Sequence, residues 1–371
     1  MLGAAIVRQP AVHRRGPEQA APATSPPDNG AMTDFGPELL NWVTVTLRPG
    51  AAWTVREERA ITRWAWRFRQ RIDMARPLED GGTWATRVTA VTPLVTGVTD
   101  TDRALALVAA ANRVASLSAV VLEPETGTVA LACAAWVRQA SKPWLLPLLE
   151  GAVALQLAVP EASDPDAFAD GFGGVADVAP HPVSGPRTEP DVALEIVATV
   201  QRAGIAASRI PPRDFRVVVG DLSSLRIPAR SDGARLEVGA DTFNLGGPAR
   251  IVLENATHPG FGNGLLALLR VPIAGGPGGT ERLANDLNRY ELADRVGGTT
   301  FGAWSADEAG IAHVAFLPNH VLPRREADRR ARLVNCVLDE IGRLQWLDAA
   351  WAGDGAAPGD AAGMPAGMST G

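Results

Sequence analysis

Leu283-Ala284-Asn285-Asp286-Leu287-Asn288-Arg289 has a distant counterpart in Leu107-Val108-Ala109-Ala110-Ala111-Asn112-Arg113. In both stretches apolar residues at helical spacing end on Asn-Arg, and a hairpin pattern follows. After the first copy, Leu117 to Leu122 reads as a strand, Glu123-Pro124-Glu125-Thr126-Gly127 as a turn and Thr128 to Arg138 as the return strand. After the second, Phe301 to Ala306, the turn Asp307-Glu308-Ala309-Gly310 and Ile311 to Phe316 repeat that order. A strand precedes each copy, Thr83 to Leu94 in one and Leu265 to Ile273 in the other. A helix closes each: Trp144 to Ala158, and Asp328 to Leu347 with Leu333, Val337, Ile341 and Leu344 on one face. Thr99 with Asp102 carries the capping signal of the first middle helix, which should run to about Ala115; its counterpart should run from Thr280 to about Arg295.

Order of elements identifies a repeat this divergent better than letters do. The letters that persist are Asn112-Arg113 with Asn288-Arg289, and Gly127 with Gly310. These six are the repeat signature, and helix ends and a turn account for them, so their role reads as structural. The chain is therefore expected to be α+β, an internal duplication of two related lobes with antiparallel sheets.

Outward from the repeat, composition sets the boundaries. Residues 1–33 contain Pro10, Pro17, Pro22, Pro26 and Pro27 with no apolar period, and are expected to be a disordered N-terminal extension. Met32 before Thr33 and Asp34 would serve as an ordinary start, which would make the first 31 residues an over-called extension. The first lobe is placed at 34–161 and the second at 190–351. Between them, 162–189 is rich in Gly, Pro, Asp and Ser and reads as a linker. Residues 352–371, Gly, Ala and Pro with two acids, read as a disordered tail.

With 371 residues, 46% of them hydrophobic, the chain can bury a sizeable core. A net charge of -6 argues against a surface built to coat nucleic acid or an anionic membrane. Of the 35 basic residues only Lys142 is lysine, a bias that fits a GC-rich genome. Cys133 and Cys336 lie far apart without a CxxC context, which fits a reduced, cytoplasmic protein. The N-terminus reverses the order of a signal peptide, and the richest apolar run, Leu145 to Val159, carries Glu150 and falls short of the roughly 18 to 20 residues a spanning helix needs.

The stretch from Leu283 to Arg289, then Phe301-Gly302-Ala303-Trp304, a turn, a second strand and a long closing helix, resembles the YbjN-like proteins, which share the type III secretion chaperone-like fold. Leu107 to Arg113 with Leu117-Ser118-Ala119-Val120-Val121-Leu122 is similar. Together these segments cover less than half of the chain. The resemblance implies a small α+β sheet with helices on one face, no catalytic residues, and a role in binding proteins or in regulation. It also implies an internal pseudo-dimer, since chaperones of that fold pair as dimers. The chain departs from the single-copy pattern by the material from Phe35 to Gly82 and from Pro190 to Gly260.

Outside the repeat the strongest local pattern is Thr54 to Ala75. Thr54 with Glu57 forms a capping box, and Ile61, Trp64, Ala65, Phe68 and Ile72 follow at helical spacing. Opposite them Arg59, Arg63, Arg67 and Arg71 recur at i+4 and would form a basic stripe. An acidic partner could dock there; the plainer account is a solvated face paired with Glu57, Glu58 and acids elsewhere. A second cluster, Arg324, Arg325, Arg329, Arg330 and Arg332, includes Glu326 and Asp328 and suits local ion pairing.

Gly275-Gly276-Pro277-Gly278-Gly279 lacks the Lys of a phosphate loop and the GxGxxG spacing, and reads as a flexible connection. His13, His181, His258, His313 and His320 are too scattered for a metal site. No hydrolase elbow, zinc-protease helix or kinase signature occurs. Trp42, Trp136, Trp304 and Trp346 lie in apolar segments and suit a core. Together these features favour a non-catalytic module that binds a protein or peptide client as chaperone, adaptor or regulator, with no cofactor, metal, nucleic acid or membrane. An enzyme with an unrecognised site, or a structural component forming a homo-oligomer, are the alternatives. A client would occupy an apolar groove or a free sheet edge.

Overall fold

The long strand, helix, hairpin and closing helix all form, and each copy extends further forward than its letters suggest. The computed structural model describes residues 33–47, 50–80, 83–161, 164–191, 194, 213–242, 245, 247–258, 261–273, 279–293, 301–307, 310–319, 322 and 326–353. The first half runs through α1 (Gly36–Leu47), β1 (Thr54–Arg56), β2 (Ala60–Trp64), β3 (Arg69–Met74), a short β4 (Leu78–Asp80), β5 (Thr83–Thr96), α2 (Thr101–Asn112), β6 (Ala119–Glu123), β7 (Thr128–Val137) and α3 (Lys142–Glu161). After α4 (Pro165–Phe172) and β8 (Val175–Ala176), the second half runs through α5 (Arg216–Ser224), β9 (Ala229–Ser231), β10 (Arg235–Ala240), β11 (Ala249–His258), β12 (Gly262–Val271), α6 (Gly279–Ala293), β13 (Ala303–Asp307), β14 (Gly310–Pro318) and α7 (Glu326–Gly353).

The sheet orders match strand for strand. One sheet is β1-β2-β3-β5-β7-β6, with β4 and β8 attached to β5; the other is β9-β10-β11-β12-β14-β13. All pairs are antiparallel. The protein is thus mixed α+β with two antiparallel sheets. The segments expected to be additions, from Phe35 to Gly82 and from Pro190 to Gly260, supply the leading helix and first three strands of each copy.

Thr54 to Ala75 is not a helix. It forms β1, β2 and β3, with Thr54 opposite Arg63 and Arg63 opposite Gln70. Twenty residues exceed one strand but suit three short ones joined by turns at Glu57–Arg59 and Ala65–Phe68, and the β-branched and aromatic residues favour the pleated surface. Glu57 does not cap a helix; it pairs with Arg71 at 2.6 Å. Alternation in β3 leaves Gln70, Ile72 and Met74 buried and Arg71 and Asp73 half-buried.

The stretch expected as a linker, 162–189, holds α4 and β8, and β8 extends the sheet by pairing with β5. Asp164 caps α4 and Gly173 ends it in the left-handed region. The expected N-terminal extension lies outside the described residues, apart from Thr33, as does the tail beyond Gly353.

One apolar cluster joins both halves. It runs from Phe35 and Leu39 of α1 through Leu145, Leu148 and Leu149 of α3 to Leu333, Val337 and Leu344 of α7, and takes in Ile72, Val88, Leu253, Leu265 and Leu269 from the two sheets. Among the described residues no helix is long and apolar enough to cross a membrane.

Candidate functional site

The four arginines at i+4 spacing part company. Arg59, in the turn before β2, pairs with Asp34 at 2.6 Å. Arg63 points into the core, only 4% exposed, and its Nε donates to Gln70 Oε1 at 2.9 Å. Arg67, in the next turn, donates its backbone N–H and Nε to the two oxygens of Glu161 at 2.7 and 2.9 Å and lies over the Trp66 ring. Arg71 stands on the opposite face of the sheet and binds Glu57 and Asp73. A strand turns alternate side chains to opposite faces, so no common basic stripe exists. Of the second arginine cluster, Arg330 pairs with Asp221 of α5 at 2.6 Å, and Arg332 is buried; Arg324 and Arg325 lie outside the described residues.

The repeat signature performs one task twice. Asn112, at the end of α2, donates to Val120 O and accepts from Val120 N, both at 2.8 Å. Asn288 does the same to Trp304 O and N at 2.9 and 2.7 Å. Each side-chain amide imitates a neighbouring strand and ties the middle helix to the hairpin that follows.

The two halves also exchange such contacts. Asn285 of α6 brackets Leu122 of β6 in the same way, at 2.9 Å for both bonds. Ser305 of β13 donates to Ala109 O of α2 at 3.1 Å. Arg113 reaches Ala306 O at 3.1 Å, while Arg289 pairs with Glu123 at 2.6 Å and Glu125 at 3.2 Å. Each middle helix therefore lies on the hairpin of the other half, the reciprocal pattern of an isologous interface.

Gly127 and Gly310 both hold positive φ, 61° and 144°. A Cβ on either would strike backbone that leaves the long strand, Val98 O in one half and Val271 O in the other. They differ in register: Gly127 lies within its turn, whereas Gly310 already pairs with Asp307.

These contacts bear on where a partner could sit. At one edge of each sheet the backbone of β6 and β13 is engaged by asparagine side chains. At the other edge β1 and β9 are three residues long, a length that discourages strand addition. Exposed apolar surface is concentrated elsewhere. Among the described residues nine large apolar side chains are exposed, and three of them, Val175, Val178 and Val183, fall within one short segment after α4.

That segment is pinned. His181 sits edge-on to Trp64 at 4.7 Å and Trp53 at 5.8 Å, and its Nδ1 accepts from Ser184 N at 3.0 Å. Trp64 Nε1 donates to Ala179 O at 2.8 Å, Ser184 Oγ to Ala52 O at 2.8 Å, and Arg187 Nη1 to Trp64 O at 2.7 Å. The valines are thus displayed on a fixed platform. Sequence reasoning passed over them because a Gly- and Pro-rich composition reads as a connection; the signal was the run of valines spaced through it.

Buried polar groups gather beneath each closing helix, with different chemistry. Under α3, Gln156 accepts from Gln70 Nε2 at 3.2 Å and Thr92 Oγ1 at 3.3 Å, and donates to Ser118 Oγ at 3.0 Å and Ala90 O at 3.2 Å. Burial pushes the nearby Cys133 thiol up to about 12, so it is unreactive. Under α7, Arg343 Nε donates to Glu291 at 3.0 Å and its Nη1 to Glu340 at 2.9 Å; Trp304 Nε1 donates to Glu291 at 2.8 Å, and His313 Nδ1 stands 3.0 Å from Glu340. Burial raises the Glu340 carboxyl, but the Arg343 guanidinium and the His313 ring outweigh it and hold the group below its usual value.

Among the described residues, His181 and His258 do not meet His313. His181 lies in its tryptophan cage, and His258 Nε2 contacts Val114 O at 3.0 Å; His13 and His320 lie outside the described residues. Trp304 is buried, whereas Trp42, Trp136 and Trp346 are half-buried, Trp346 stacked on Tyr290 at 4.4 Å. The glycine loop falls outside the described residues except for Gly279, the first residue of α6. Comparison with known proteins finds no matching family model, no matching curated protein and no matching solved structure.

Proposed function

We propose that the protein is a non-catalytic, cytoplasmic module that binds another protein, similar to the YbjN-like and type III secretion chaperone-like proteins, with its two copies acting as an internal pseudo-dimer and without a cofactor. The observation that carries this reading is the exposed valine segment on its aromatic platform. Val175 is 69% exposed, Val178 47% and Val183 88%, on backbone held by Trp64, Ser184 and Arg187. Apolar side chains presented on fixed backbone lose little entropy on binding. Support for the family reading comes from the order helix, strands, helix, hairpin, helix in both halves, and from the reciprocal contacts of α2 and α6.

The test is affinity capture from the native host by the full chain, run beside Val175→Asp/Val183→Asp. A captured protein that disappears with the double variant, while the melting temperature stays within a few degrees, supports the reading. Equal capture by both forms refutes the patch. Recovery of the bait alone refutes client binding.

A further inference from the structure

Beneath α7 lies a cavity lined by Ala267, Ala315, Leu317, Arg332, Glu340 and Arg343 among others, whose enclosed part has room for about one water molecule. Two charged residues reach it with atoms left over. Arg332 is 3% exposed, and its Nε and Nη1 have no hydrogen-bond acceptor; Glu340 is 2% exposed, and its Oε2 has no donor. The nearest opposite charge to Arg332, Asp339 Oδ2, is 3.8 Å from Nη1, beyond hydrogen-bond reach. The guanidinium lies over Trp144 at 4.6 Å, which fixes its plane but satisfies none of its N–H groups.

Buried charged groups rarely stay unsatisfied, because each such atom has lost its hydration and gained nothing. The charges of the wall select the occupant. Asp339 and Glu340 disfavour an anion, and Arg332 and Arg343 disfavour a cation. What remains is a neutral molecule that accepts from Arg332 and donates to Glu340. We infer that the cavity under α7 is a buried water site in which an ordered water bridges the Arg332 guanidinium to Glu340 Oε2. The water extends the chain of hydrogen bonds from Trp304 through Glu291, Arg343 and Glu340 to the start of α7. The first half has no such need, since the amide of Gln156 closes its own network.

A crystal structure of the full chain at atomic resolution tests this directly. Expected is density for a water within hydrogen-bond distance of both Glu340 Oε2 and Arg332 Nε or Nη1. A dry cavity, a direct Arg332–Glu340 bond, or an ion or organic molecule in that place overturns the inference. Independently, oxygen-17 relaxation dispersion in solution should lose one long-lived water in Ala267→Val, whose added methyls enter the cavity. An unchanged count in a folded variant also overturns it.

Discussion

The space under α3 and the space under α7 lie at the same place in two matching sheets, yet one is filled by amides and hydroxyls and the other by ions. Gln156 gathers Gln70, Thr92 and Ser118 in the first half. Glu291, Glu340, Arg343 and His313 lock together in the second. The frame tolerates either filling, so backbone order and apolar pattern specify the fold, and the polar filling sets what each half costs to disrupt. A neutral network loses one bond at a time. An ionic one leaves a bare charge when a partner goes, and a bare buried charge costs several times more than a lost neutral bond.

The largest effect should therefore come from Arg343→Leu, which strands Glu291 and Glu340 at 3% and 2% exposure. It should lower unfolding free energy by about 3–5 kcal/mol in urea titration. Gln156→Leu, at the matching place, should cost about 1–3 kcal/mol. If the glutamine variant proves the more damaging, the contrast between the two fillings is wrong.

Next in size are the matched asparagines. Asn112→Ala and Asn288→Ala each remove two bonds to a hairpin strand and should each cost about 1–3 kcal/mol, with values close to one another. A neutral result at one site and a large one at the other would undo their equivalence. These residues mark how far the fold was legible. Asn-Arg and the turn glycines placed α2, α6 and both hairpins within a few residues, because each asparagine ties its helix to the hairpin that follows and leaves a near-local trace, although Arg113 and Arg289 reach into the other half. The leading strands did not show. In Thr54–Ala75 the apolar residues satisfy periods 3.6 and 2 at once, and only the long-range pairing of β3 with β5 decides between them. The valine platform was hidden for a related reason, since its order comes from Trp53, Trp64 and Ala52, over a hundred residues away. The ionic cluster draws on α6, β14 and α7, and no spacing along the chain announces it.

The two fillings should also part as pH falls. Glu340 is held below its ordinary 4.5 in the folded chain. A carboxylate with a depressed folded value contributes stability that is present above its unfolded value and is lost as pH falls through the folded one. The contribution should be complete near neutrality and decline below about pH 4.5, as the unfolded chain takes up a proton that the folded chain resists. Glu340→Gln should flatten that part of the stability curve, followed by urea titration between pH 3 and 7, whereas Gln156→Leu should leave its slope unchanged. A wild-type acid slope that survives Glu340→Gln would assign it to other carboxylates.

The smallest effects are expected among the four arginines, where a helix and three strands give opposite answers. A solvated helical stripe would make Arg59, Arg63, Arg67 and Arg71 nearly interchangeable. In the strands they are not. Arg67→Ala removes a charged partner from Glu161, which is 8% exposed and keeps only the backbone N–H groups of Arg67 and Phe68. Its cost should be about 1–2 kcal/mol, discounted because the arginine itself reaches solvent. Arg71→Ala breaks pairs with Glu57 and Asp73 that are open to water, and should cost under about 1 kcal/mol and fade with added salt. Arg63 differs in kind. Burial lowers its guanidinium to about 10, so Arg63→Met, which keeps the buried stem and removes the charge, relieves a desolvated ion while giving up the bond to Gln70. Thermal melts of the three variants at low and high salt would rank them, and three equal, salt-sensitive shifts would restore the helix.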